Sequence, residues 1–258
     1  MADAPIITLA DCTVRFGGLT AVASLSLEVA PGELVSLIGP NGAGKTTVFN
    51  AITGVHRLTE GSIRFLDREI SKLAPHQIAG LGIGRTFQNI RLFRKLTVLD
   101  NLRAALHRRG GYGIFRAAFR SRAWKDAETR IEESAEELLG MFGLAGRGDE
   151  LAGGLPYGDQ RRLEIVRALA IQPQLLLLDE PAAGMNPAET NELMELIRSL
   201  LERFSLTILL IEHDMRVVMG VSHRVVCLNQ GEEIASGQPH DVSQSPAVIE
   251  AYLGEPMD

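Results

Sequence analysis

At 258 residues with a formal net charge of −6, the chain is longer than one small module needs and short for two full domains. Hydrophobic residues make up 45% and charged residues 22%, which excludes a largely disordered or fibrous chain. The longest runs free of Asp, Glu, Lys and Arg are twelve residues, Phe16–Leu27 and Leu73–Gly84, short of the roughly eighteen apolar residues a membrane-spanning helix needs. The opening Met-Ala-Asp-Ala-Pro shows neither the basic nor the hydrophobic region of a secretory signal. Cys12 and Cys227 sit in apolar, strand-like runs without disulfide or metal-ligand spacing, so a cytosolic chain is expected.

In chain order, short apolar runs bounded by Gly or Pro predict strands at Ile6–Leu9, Ser24–Val29, Leu34–Ile38 and Ser62–Leu66. A helix is expected over Lys45–Ile52. A helical third follows, with Val98–His107 and a longer charged stretch around Ala117–Leu139, ended by Gly143 and the glycines of 146–154. Helices at Gln160–Ala170 and Ala188–Phe204 alternate with strands at Leu175–Leu178 and Thr207–Ile211. Both of these strands are too uniformly apolar to be half exposed. Each runs into acidic or polar residues, as buried parallel strands do when their C-terminal ends carry a site. The order predicts an α/β fold with a helical subdomain.

The net charge conceals an asymmetry. Arg85–Lys125 holds eleven basic residues against one acid, Asp100, so this stretch is +10 and the remainder −16. From Asp126 to Glu150 the sign reverses, with eight acids against Arg130 and Arg147. Two readings fit: a surface facing an anionic partner, or a helical hairpin whose basic and acidic arms offset each other. Few aromatics interleave the basic residues and the whole chain is acidic, so no nucleic acid partner is expected.

Two motifs carry chemistry. Gly39-Pro40-Asn41-Gly42-Ala43-Gly44-Lys45-Thr46-Thr47 follows an apolar strand and opens a helix, matching the phosphate-binding loop G-x-x-x-x-G-K-[ST]. Glycines let the backbone wrap a polyanion with its N–H groups inward, and the helix N-terminus adds partial positive charge. Lys45 would reach the β- and γ-phosphates and Thr46 would ligate Mg²⁺. In Leu175-Leu-Leu-Leu-Asp179-Glu180 a buried strand ends in a carboxylate, which suits Asp179 to holding Mg²⁺ through its water shell and Glu180 to polarising water.

Twenty residues before that pair, Leu155-Pro-Tyr-Gly158-Asp-Gln-Arg-Arg-Leu-Glu-Ile-Val-Arg167 resembles the signature stretch, L-S-G-G-Q and its helix, of ABC-transporter ATP-binding subunits. Further matches fall in that family's order. Gln88 resembles the Q-loop glutamine and Ala182-Ala-Gly-Met-Asn186 the D-loop. His213 resembles the switch histidine, and Phe16 lies where an aromatic ring stacks on adenine. The resemblance covers the chain from about Ile7 onward. It implies a P-loop nucleotidase core over 1–88 and 160–258, with an antiparallel β subdomain, and a helical subdomain over 89–159. It also implies ATP and Mg²⁺ as cofactors. The loop residues 39–47, Phe16, Gln88 and Asp179 would bind nucleotide, with Thr46, Gln88 and Asp179 toward the metal. Glu180, His213 and Lys45 would be catalytic.

The resemblance further implies two ATP-binding subunits sandwiching two nucleotides, each site joining one chain's phosphate loop to the other's signature. The helical segment after Gln88 would dock on transmembrane permease subunits at the inner face of the plasma membrane. The runs Gly84-Arg-Thr-Phe-Gln-Asn-Ile-Arg-Leu-Phe, Glu180-Pro-Ala-Ala-Gly-Met-Asn-Pro, Ile211-Glu-His-Asp-Met and Val248-Ile-Glu-Ala-Tyr-Leu-Gly look like one branch, the longer ATPase subunit of bacterial branched-chain amino-acid importers. A periplasmic binding protein would then deliver the cargo. Related branches serve urea or amide import and lipopolysaccharide export, and non-transport ABC switch ATPases are the remaining alternative. This chain departs from the signature at Pro156, Tyr157 and Asp159, and Asn186 replaces the D-loop acid. Pro156 has neither hydroxyl nor N–H to offer, so a heterodimer with a partner of intact signature is expected, with the same chain as the alternative partner. Part of the basic block, Arg116, Arg120 and Arg122, is expected to face anionic headgroups or acidic loops at the membrane.

Overall fold

The structure is a computed structural model and describes residues 4–110 and 122–253. Arg116, Arg120 and the start of the stretch expected over Ala117–Leu139 lie outside these, as does Gly254. Residues up to Arg85 and from Gln174 onward form one unit, and Thr86–Pro173 a second. The chain thus divides at 86 and 173, where the sequence placed the division at 89 and 159.

In the first unit, β1 (Ile7–Phe16) and β2 (Leu19–Val29) pair antiparallel around Gly17-Gly18. With β4 (Glu60–Phe65) and β5 (Arg68–Glu69) they make a four-stranded antiparallel sheet in the order β2-β1-β4-β5. Strand β1 runs well beyond the expected Leu9. Asp11, at φ 48, opens a bulge that breaks the apolar alternation, after which Cys12 and Val14 return to the core.

The second sheet has the order β10-β9-β3-β8-β7-β6. Strands β3 (Leu34–Ile38), β6 (Ile83–Arg85), β7 (Leu175–Asp179), β8 (Thr207–Ile211) and β9 (Arg224–Asn229) run parallel, and β10 (Glu232–Gly237) closes one edge antiparallel. Every residue of β3, β7 and β8 is buried, which accounts for their uninterrupted apolar runs. One apolar core joins both sheets to helix α1 (Lys45–Ile52), with Ile7, Leu37, Phe49, Leu177 and Leu209 among its members. Helix α2 (Pro75–Gly80) precedes β6. Because β3, β8 and β7 are parallel neighbours, the loops leaving their C-terminal ends gather on one edge of the sheet.

In the second unit, α3 (Val98–Gly110) packs on α4 (Arg122–Met141), and Leu102 of the first and Ile131, Ala135 and Leu139 of the second are buried. Arg103 pairs with Glu132 and His107 lies 3.7 Å from Glu128, so over its described part the basic arm is set against the acidic one. Helix α5 (Tyr157–Leu169) completes this unit. Helices α6 (Pro187–Phe204), α7 (Met215–Val221), α8 (Pro239–Ser243) and α9 (Pro246–Leu253) belong to the first.

Candidate functional site

The chain leaves β3 at Gly39, where φ is 140° and a Cβ would stand 2.0 Å from the Leu228 carbonyl oxygen. Gly44, at φ 100°, closes the loop, and a Cβ there would meet the Ala21 carbonyl oxygen at 2.3 Å. Glycine is therefore required at both ends of the loop. Gly44 caps α1 without any side-chain bond, which leaves the first N–H groups of the helix available to an anion. Asn41, Gly42 and Thr46 are exposed along this rim, Pro40 and Thr47 are partly covered, and Ala43 is buried. Lys45 is buried, and its Nζ donates to the carbonyls of Gly39 (2.7 Å) and Pro40 (2.9 Å). Burial pushes this ammonium below the usual lysine range, against the pull of Glu180, Cys227 and Asp179.

Asp179 ends β7, buried, with Oδ2 3.0 Å from the Arg85 guanidinium. Arg85 also donates to Asn50 Oδ1 (2.8 Å) and Thr53 Oγ1 (3.0 Å), so one guanidinium ties β7 to α1. Glu180 follows in the left-handed region at φ 47°, its N–H donating to the Ile211 carbonyl at 2.9 Å. A glutamate held in this conformation stores about 1–3 kcal/mol of strain, a feature that clusters at functional sites. Its Oε2 lies 3.9 Å from His213 Nδ1. The first unit thus brings Asp179, Glu180 and His213 to the sheet edge that carries Gly39–Thr47. Phe16, at the end of β1, is 47% exposed, and its ring meets His56 edge-on at 4.9 Å.

Sequence reasoning missed two residues here. Arg85 was counted only as part of the basic block. No local pattern marks its contact with Asp179, 94 residues away in the chain. Glu212 is buried beside His213 and accepts N–H bonds from Ala182 (2.8 Å), His213 (3.1 Å) and Asp214 (3.4 Å). It thereby staples the loop after Glu180 to the loop carrying His213. Burial raises its pKa above the usual carboxyl range, although those three bonds favour the ionised form. Asn186 accepts from Ala188 (2.9 Å) and Glu189 (3.0 Å) as the N-cap of α6, a role asparagine fills as well as aspartate.

Gln88 belongs to the second unit, where Arg161 organises its backbone. Arg161 donates to the carbonyls of Phe87 (2.7 Å) and Gln88 (3.0 Å). It also pairs with Glu164 at 2.8 Å in full burial, and Glu164 accepts the Arg91 N–H at 3.0 Å. Both charged residues lie on α5, directly after the signature stretch, so this helix shapes the segment around Gln88. Pro156 caps α5 with no side-chain bond, Tyr157 is exposed and Gly158 is buried. Asp159 pairs with Arg147 and lies 3.8 Å from Arg162, while Gln160 Nε2 donates to the Leu155 carbonyl at 2.7 Å.

The donor set suits Mg²⁺. Among the described residues no group of three or more His, Cys, Asp or Glu side chains could hold a metal unaided. One strand-end carboxylate, Asp179, and the exposed Thr46 hydroxyl offer the sparse, hard oxygen donors that would suit an ion that keeps several waters and takes substrate phosphates. Cys12 and Cys227 are buried and unbridged, their thiols pushed up to about 11 by burial.

A parallel sheet with a phosphate loop after one strand and an Asp-Glu pair after another defines a P-loop nucleotide-binding ATPase. The profile described as ABC transporter matches residues 22–183, and the chain belongs to the ABC transporter family, as one of its ATP-hydrolysing chains. A profile described as branched-chain amino acid ATP-binding cassette transporter matches residues 232–258. The high-affinity branched-chain amino acid transport ATP-binding protein LivG of Escherichia coli K12 is 48% identical over 97% of this chain and 98% of its own. The corresponding protein BraF of Pseudomonas aeruginosa is 46% identical over the same shares. Among solved structures, the ADP conformation of MJ1267, an ATP-binding cassette of an ABC transporter, superposes with a TM-score of 0.84 at 30% identity, covering 97% of this chain and 99% of that one. Among the described residues no helix is long and apolar enough to cross a membrane.

Proposed function

We propose that this chain is the ATP-hydrolysing subunit of an importer for branched-chain amino acids, working on separate membrane subunits at the inner face of the plasma membrane. The observation that carries the cargo is the near full-length similarity to branched-chain amino acid transport ATP-binding proteins, reinforced by the match over 232–258. The activity is supported by the gathering of Gly39–Thr47, Asp179, Glu180 and His213 on one sheet edge.

The N–H groups of Gly42 and of residues 44–47 cradle the β- and γ-phosphates, while that of Ala43 closes the loop on the Pro40 carbonyl, and Lys45 turns its ammonium from the Gly39 and Pro40 carbonyls toward the phosphates. Thr46 and Asp179 would hold Mg²⁺, which would offset the phosphate charge, and the family resemblance adds Gln88 to the metal's ligands. Arg85 keeps the Asp179 carboxylate in place for that task. Glu180 takes the proton of the attacking water, and His213 orients the γ-phosphate. Phe16 supplies an exposed ring to the base. A second ATP-binding subunit completes each site. The departures at Pro156, Tyr157 and Asp159 support a heterodimer, in which a partner of intact signature closes over this chain's loop. The second unit meets the permeases, and a periplasmic binding protein delivers the amino acid.

Uptake of labelled leucine, isoleucine and valine tests the reading in cells lacking this chain. The wild-type chain should restore uptake and Lys45→Ala should not. Unchanged uptake in the deletion strain would remove the cargo assignment.

A further inference from the structure

Both backbone groups of Gly39, the residue where strand becomes phosphate loop, are held by side chains. Its carbonyl accepts from Lys45 Nζ at 2.7 Å, and its N–H donates to Tyr252 Oη at 2.8 Å. Tyr252 lies 213 residues away, in the last turn of α9. When Lys45 turns to phosphate, the first of these bonds is given up and the tyrosine hydroxyl remains as the side-chain anchor of the hinge. Gly39 is buried between Ile38, the last residue of β3, and the loop, with the Leu228 carbonyl packed against it, and the tyrosine hydroxyl is the acceptor that satisfies its N–H.

The helix that brings the hydroxyl is lightly seated. In α9, Val248 is buried, whereas Ile249 is 45%, Tyr252 41% and Leu253 81% exposed. Met215, Met219, Val248, Ile249 and Leu253 border a cavity of about 430 Å³ between α9 and α7. An element with so few buried apolar contacts opens at low cost.

We propose that α9 is a latch on the phosphate loop, and that Tyr252 is a positioning residue which keeps the loop in its nucleotide-binding form through the Gly39 N–H. The latch rests on the reading of Gly39–Thr47 as the nucleotide cradle. Loss of the anchor lowers the fraction of chains whose loop is competent, and apparent affinity falls by that fraction. Linkage requires the reverse effect: bound nucleotide must hold α9 down by the same factor.

The full-length chain, titrated with ADP, tests this. Tyr252→Phe keeps the ring and removes one acceptor, so ADP binding should weaken about 2- to 10-fold, the worth of one hydrogen bond. KM for ATP should rise by the same factor with kcat within about twofold, and the melting temperature without nucleotide should hold. Val248→Ala, which loosens the helix and leaves the hydroxyl, should weaken binding similarly, whereas Glu250→Gln on the exposed face should not. In the wild-type chain ADP should slow amide exchange across α9, and in Tyr252→Phe it should do so less. Unchanged ADP affinity in Tyr252→Phe would overturn the latch, as would a loss of melting temperature and kcat without a change in affinity. If the wild-type chain itself fails to bind ADP, the nucleotide cradle falls and the latch with it, an outcome distinct from wild-type binding that Tyr252→Phe leaves intact.

Discussion

The loop Gly39–Thr47 takes its shape from its own backbone, through glycines at φ 140°, 84° and 100° and a lysine folded back on two nearby carbonyls. The segment around Gln88 is built differently. Its carbonyls are held by Arg161, 73 to 74 residues further on, whose charge is balanced by Glu164 inside the same helix. A backbone-made site depends on its glycines and on the one lysine that folds back on it. A segment held by a buried ion pair depends on two side chains 73 to 74 residues along the chain, on the helix that owns them.

The largest stability effect should come from breaking the borrowed arrangement. Arg161→Met leaves Glu164 buried without its cation and should cost about 3–5 kcal/mol in urea unfolding. Replacing both, Arg161→Met with Glu164→Leu, should recover much of that loss while still releasing the Phe87 and Gln88 carbonyls. If the single variant unfolds like wild type, the pair does not hold the segment. Next comes the local arrangement. Gly39→Ala sets a Cβ against the Leu228 carbonyl oxygen and should add about 1–3 kcal/mol of backbone strain, read as weaker ADP binding with little change in the second unit's stability. Equal effects on both units would erase the contrast between them.

The smallest effect sharpens the contrast by pH. Burial raises the Glu212 pKa, so the folded state favours the protonated form. Its contribution to stability is fully present below the unfolded-state value of about 4.3 and is lost as pH rises through the folded value. The stability of wild type relative to Glu212→Gln should therefore fall as pH increases across that window. A difference independent of pH would show that the carboxyl does not titrate differently on folding.

How far each part could be read from sequence follows the same division. Strands Leu34–Ile38 and Thr207–Ile211 were legible to the residue, because parallel strands buried on both faces are written as unbroken apolar runs. Strand β1 was not, since the bulge at Asp11 resets its alternation and hides seven further residues, up to Phe16. The phosphate loop and the Asp179-Glu180 pair were legible because their chemistry is contiguous in the chain. Arg85, Glu212 and the Arg161–Glu164 pair were not, because each acts through a contact that only the fold creates, as between Arg85 and Asp179, 94 residues apart. The basic block was the ambiguous case. Only the pairing of Arg103 with Glu132 and the approach of His107 to Glu128 set its described part against an acidic helix.

The central claim is that this chain's own loop, with Asp179 and Glu180, forms an ATP-hydrolysing site. The most direct measurement is the ATPase rate of the assembled transporter with Glu180→Gln in this chain alone, compared with the equivalent change in its ATP-binding partner. Loss of a general base predicts a fall of about 10²–10⁴-fold at this chain's site with ATP affinity retained. The expected heterodimer predicts unequal losses from the two changes. A Glu180→Gln complex that hydrolyses ATP at the wild-type rate would contradict the account.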